Sequence, residues 1–178
     1  MKIKGAVENS LPEPPDSLKP VIFQHLACNL SVLERMYAAI AFEKFESYTK
    51  SHPLSPEAVC DIVYINSDNI ELELDESDGQ EMSVHLIFVR MNHVREDMLN
   101  DNRTSVNWPE FVFLLLEELL HTLYQIRNEY RVKQIAKEIA LLAYPNLKLN
   151  NIFPFLFDED DQPVYHPDYA SDFAELSQ

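Results

Sequence analysis

Glu117, Glu118 and His121 stand together in Glu117-Glu118-Leu119-Leu120-His121, inside the most apolar stretch of the chain. On a helix, residues four apart share a face, one turn from each other. Glu117 and His121 are thereby placed to grip one metal ion, with Glu118 alongside. Carboxylate and imidazole are ordinary ligands of divalent cations, and an ion so held polarises water or a carbonyl. A plainer reading stands beside this one. On a helical wheel Glu110, Glu117, Glu118, His121, Thr122 and Gln125 share one side, and Val112, Leu115, Leu116, Leu119, Leu120, Leu123 and Ile126 share the other. That is amphipathicity, in which a Glu–His pair is a surface contact. Phe111, Leu114 and Tyr124 interrupt the polar side, which is therefore not wholly wet.

The elements that must hold these groups can be read around them. Ser31 followed by Glu34 is a capping box. The helix it opens carries Val32, Met36, Ile40, Tyr37, Phe42, Phe45 and Tyr48 and stops before Pro53. Residues 21–29 are apolar but too short to assign. From Val59 to Asn92 the period becomes two. Asp61–Ile65 reads as a strand. Ile70, Leu72 and Leu74 alternate with Glu71, Glu73 and Asp75, and Asp78-Gly79 is a turn. Val84–Val89 is apolar on both faces except for His85, as an interior strand covered on both sides would be. Residues 92–107 read as a loop or short helix. Pro109 suits the first turn of a helix running to about Ile126. Asn128 marks a break, and a further helix carries Val132, Ile135, Ala136, Ile139 and Leu142 until Pro145. The expectation is an α+β fold with a small, mainly antiparallel three-stranded sheet, one N-terminal helix and two C-terminal helices. A proline-rich arm (1–20) precedes the single domain (21–150), and an acidic, aromatic tail (151–178) follows. There is no internal repeat.

With that order of elements, the motif helix resembles the active-site helix of the zincin metallopeptidases, whose signature is His-Glu-x-x-His. Here Glu117 occupies the first ligand position, so the stretch reads Glu117-Glu118-x-x-His121. The resemblance covers residues 31 to about 143. It implies a metal held by Glu117, His121 and, from the following helix, Glu129, with Glu118 as the general base that activates metal-bound water against a peptide carbonyl. Replacing the first histidine by glutamate lowers affinity for zinc and favours harder ions, so a scaffold kept without activity also fits the resemblance.

Composition sets the limits. Of 178 residues, 30 are Asp or Glu and 14 Lys or Arg, a net charge of −16. Such a surface is repelled by nucleic-acid phosphates and suits a cationic peptide or protein partner. With two glycines, Gly5 and Gly79, the chain has neither GxGxxG nor a P-loop. Cys28 and Cys60 lie far apart in apolar surroundings and read as reduced thiols. No secretory segment opens the sequence, and the run Phe111–Leu116 is too short to span a bilayer, so a cytoplasmic protein with no membrane contact is expected. Glu118-x-x-His121 also matches half of a di-iron bundle motif, but no second copy exists. His85 reads as a core histidine and His93 as a loop histidine; neither His52 nor His166 suggests a site. Arg127, Arg131, Lys133 and Lys137 are either the wet side of their helix or a seat for the acidic run Asp158–Asp161. Asp75-Glu76-Ser77-Asp78-Gly79 lacks the spacing of a calcium loop. Two functions follow: a metal-binding protein of zincin type, active or degenerate, and a non-enzymatic acidic binding protein of the inhibitor, immunity or adaptor kind.

Overall fold

The computed structural model describes residues 2–3, 10–66, 72–73, 85–91 and 108–176. In chain order its elements are β1 (Lys2–Ile3), β2 (Ile22–Leu26), α1 (Val32–Thr49), β3 (Cys60–Ile65), β4 (Leu72–Glu73), β5 (His85–Arg90), α2 (Trp108–Leu123), α3 (Glu129–Ala140) and α4 (Leu149–Ile152). A 3-10 turn (Pro167–Tyr169) and α5 (Ala170–Glu175) complete them. Helix and strand are mixed as an α+β chain requires. The sheet, however, is parallel: β2, β3 and β5 pair in that order, with Ile22 beside Cys60 and Cys60 beside His85. The antiparallel expectation is corrected by this pairing. Parallel neighbours need a long crossover, and α1 supplies it between β2 and β3.

Two strands differ from the expectation in their place in the sheet. Ile22–Leu26, left unassigned, is a full member of the sheet, because a five-residue strand without clean alternation is fixed by its partner instead of by its own pattern. The alternating stretch around Leu72 is not. Its described part, Leu72–Glu73, pairs antiparallel with Lys2–Ile3, apart from the three-stranded sheet. The expected turn at Asp78-Gly79, residues 92–107 and His93 lie outside the described residues.

One face of the sheet presents Ile22, Leu26, Cys60, Ile62, Tyr64 and Ile87 to the core. The other is not covered as expected, since Phe23, Leu86 and Phe88 are 46%, 36% and 43% exposed. β5, read as an interior strand, is paired on one side only among the described residues.

The helices close the core. The α1 capping box forms, with the Glu34 N–H donating to Ser31 Oγ and the Ser31 N–H to Glu34 Oε2. α1 buries Ala38, Ala41, Phe42 and Phe45, a stripe of helical spacing. α2 ends at Leu123, three residues earlier than expected. It is buried almost all round: Phe111, Val112, Phe113, Leu115, Leu116, Leu119, Leu120 and Leu123 are in the core, while Leu114 and Glu118 reach the surface. No helix among the described residues is long and apolar enough to cross a membrane.

The C-terminal residues fold back on α3. The Tyr130 hydroxyl donates to the Val164 carbonyl at 2.7 Å, and its ring meets Phe157, Tyr169 and Phe173 edge-on. Lys137 pairs with Asp161 at 2.6 Å, so the basic stretch does receive part of the acidic run. That lysine holds the Asp161 carboxyl below the ordinary carboxylate range, against the opposing effect of burial. Both cysteines are buried. Burial pushes the Cys60 thiol up to about 12, which leaves it un-ionised and unreactive at neutral pH.

Candidate functional site

α2 and α3 pack side by side and bring the motif residues together. Glu117 is buried on the α3-facing side of α2, with His121 one turn on and half-buried. Asn128 caps α3 by accepting from the Arg131 N–H, so Glu129 stands in the first turn of that helix. The C-terminal segment fixes this corner. Asn128 Nδ2 donates to the Asp172 carbonyl and to Glu175, and the Glu129 N–H donates to the Asp172 carboxylate. One ligand atom from each of Glu117, His121 and Glu129 lies within 4.8 Å of the others. The three residues named as metal ligands thus converge.

The fourth does not join them. Glu118 is turned outward at the helix surface, one residue around from Glu117. Its carboxyl titrates above the ordinary value because partial desolvation opposes the charged form and the neighbouring Glu117 carboxylate adds to the opposition.

His121 has a fixed orientation. Nδ1 lies 2.6 Å from the Ile126 carbonyl oxygen, and since a carbonyl only accepts, Nδ1 carries a proton. Nε2 then faces Glu117 at 3.8 Å and Glu129 at 3.6 Å. Ligands about 2.1 Å from a tetrahedral ion are separated by roughly 3.4 Å, so these spacings are near those of a coordination shell. A ring nitrogen tied to a carbonyl while the other faces carboxylates is also how metal-bound histidines are held.

A cation of the chain's own already bonds two of these three groups. Lys133 Nζ donates to Glu117 Oε1 at 2.6 Å and to Glu129 Oε2 at 2.5 Å. The side chain is buried, 5% exposed, with the ammonium 4.7 Å from the centre of the Phe153 ring. Burial pulls its pKa down, but the two carboxylates outweigh burial and hold the amine charged above the ordinary lysine value. His121 is likewise raised, by Glu117 first, against the effect of its own burial. Within the cluster one ammonium is bonded to both carboxylates, and the imidazole stands beside them.

Sequence reasoning grouped Lys133 with surface cations and did not see this role. The signal was its spacing. Lys133 lies three residues from Tyr130 and Ala136 and seven from Ala140, on the buried stripe of α3. A lysine on an apolar stripe needs a buried partner, and Glu129 four residues back and Glu117 across the helix pair supply two. Comparison with protein-family models, with curated proteins and with solved structures finds no match to this chain.

Proposed function

We propose that this chain acts without a catalytic metal, as an acidic binding protein on a scaffold arranged like a zincin helix pair. The observation that carries this reading is Lys133. Its ammonium takes one oxygen from each of Glu117 and Glu129, two of the three groups a divalent ion would use there. A metal would have to displace a buried, doubly paired cation, and breaking such a pair costs about 3–5 kcal/mol. The partner is a protein or peptide. The −16 net charge favours a cationic one, and the apolar side chains on the outer sheet face, Phe23, Leu86 and Phe88, offer contact area beside it.

One observation favours a second reading. The His121 tautomer leaves Nε2 directed at two carboxylates, as in a divalent-ion site of zincin type in which Glu118 would serve as the base. The residues fit an ion in number and type, and Lys133 opposes it in charge. Elemental analysis of protein purified without chelator or metal-affinity resin separates the two. The first reading expects far less than one ion per chain and no change after incubation with zinc or manganese. One tightly held equivalent, lost in His121→Ala, supports the second and contradicts the first.

A further inference from the structure

Beyond the last turn of α2 lies an open cleft of about 790 Å³, formed by residues 55–59, the first residue of β5 and the end of α2. Among the described residues its lining carries one carboxylate, Glu57, together with His85, Thr122, Tyr124 and Gln125, and no lysine or arginine. Gln125 turns the chain into the left-handed region, with φ of 54°, and this ends the helix. Tyr124 makes the last helical bond, to the Leu120 carbonyl at 3.2 Å. The carbonyls of His121, Thr122 and Leu123 receive no backbone hydrogen bond among the described residues. They form the negative end of the helix.

The wall that Tyr124 contributes is rigid. Its ring stands edge-on to Phe45 and Tyr48 at 6.0 and 5.6 Å, and its hydroxyl donates to the His52 carbonyl. Desolvation pushes this phenol up to about 12, so it stays neutral at physiological pH. A carboxylate, a fixed aromatic ring and carbonyl oxygens that no described backbone N–H reaches make up the recognition chemistry of a planar cation. Anionic ligands find no lysine or arginine among the described lining residues.

We propose that this cleft receives the guanidinium of an arginine presented by a protein partner. Glu57 pairs with it, Tyr124 stacks or borders it, and the carbonyls at the end of α2 take its remaining N–H groups. Arginine suits the cleft better than lysine because its flat, weakly hydrated head matches a carboxylate in two bonds and lies on a ring. The inference rests on the reading that the chain acts by binding, and it names the partner's chemistry.

The test is a ¹⁵N–¹H titration of the whole chain with an acetylated, amidated Gly-Arg-Gly peptide and with the same peptide carrying citrulline, the neutral isostere of arginine. Saturable shifts confined to residues 55–59, 85 and 122–125 are expected with the arginine peptide. Citrulline is expected to bind about ten-fold more weakly or worse, because it loses the charge-assisted bonds. Glu57→Gln should weaken the arginine peptide several-fold, while Glu43→Gln, an acidic residue on α1, leaves it unchanged. Equal binding of both peptides, shifts scattered over the acidic surface, or a Glu57→Gln protein that binds like the parent would overturn the proposal. None of these outcomes bears on metal content, so failure here and failure of the metal-free reading are told apart.

Discussion

Glu117 and Gln125 lie about two turns apart on the same helical path, and their surroundings treat charge in opposite ways. Around Glu117 the three converging groups are tied down: Lys133 holds both carboxylates, the Ile126 carbonyl one nitrogen of His121, and Asp172 the backbone of Glu129. Around Gln125 the helix ends with carbonyls that receive no backbone hydrogen bond among the described residues, and Glu57, the carboxylate among the described lining residues, is exposed. The first region has the residue types of a metal site and has spent them internally. The second has no motif at all, yet it keeps its acceptors available. Residue types that suggest chemistry mark a working site when their bonding capacity is left over, and a structural support when it is not.

The sharpest way to break this contrast is to remove the internal cation. Lys133→Met leaves Glu117 buried without its partner and is expected to destabilise the fold by about 3–5 kcal/mol, read by urea unfolding. A loss below about 1 kcal/mol would mean the pair is not buried as described. The same variant should gain a cation site from the residues that remain. Added zinc is expected to raise its unfolding temperature and leave that of the parent unchanged.

A smaller effect tests how the corner is assembled. Asn128→Ala removes the α3 cap and the two bonds to the C-terminal segment and should cost about 1–2 kcal/mol. Tyr130→Phe, which loses only the bond to the Val164 carbonyl, should cost about 1 kcal/mol. If neither variant changes the urea midpoint, the C-terminal segment does not support the cluster.

The pH dependence sharpens the comparison from the side of His121. Its folded pKa lies above the ordinary 6.5, so its stabilising contribution is complete below that value and is lost as pH rises through the raised one. Stability should therefore fall across this window above 6.5, and His121→Gln should flatten that part of the profile. The smallest effect belongs to the open region. Glu57→Gln should change stability by less than about 0.5 kcal/mol, because the group is exposed and has no ion pair among the described residues. A large loss there would show that the cleft, too, is structural.

Much of this was legible before the coordinates. The α1 capping box, the helix with Glu117 and His121 on one face, and the helix opened at Asn128 follow from spacing on helices, where position along the chain fixes the face, whereas Glu129 was expected beside them only from the resemblance of the motif helix. The sheet was not legible in the same way. β2 and β5 meet β3 from distant parts of the chain, and parallel pairing leaves no local turn to reveal it. Lys133 was missed because its neighbours in sequence, Arg131 and Lys137, suggested a solvated face, while its meaning came from Glu117 on another helix. The cleft was missed because its acceptors are backbone atoms, which carry no residue signature.

The central claim is that Lys133, and not a metal, neutralises the carboxylates. The ¹⁵N signal of the Lys133 ammonium tests it directly, since a buried ammonium with two partners exchanges its protons slowly enough to be observed. The account predicts that this signal is present at neutral pH, responds to Glu117→Gln, and stays unshifted when one equivalent of zinc is added. Its absence in the parent protein, or its displacement by stoichiometric zinc, would contradict the account.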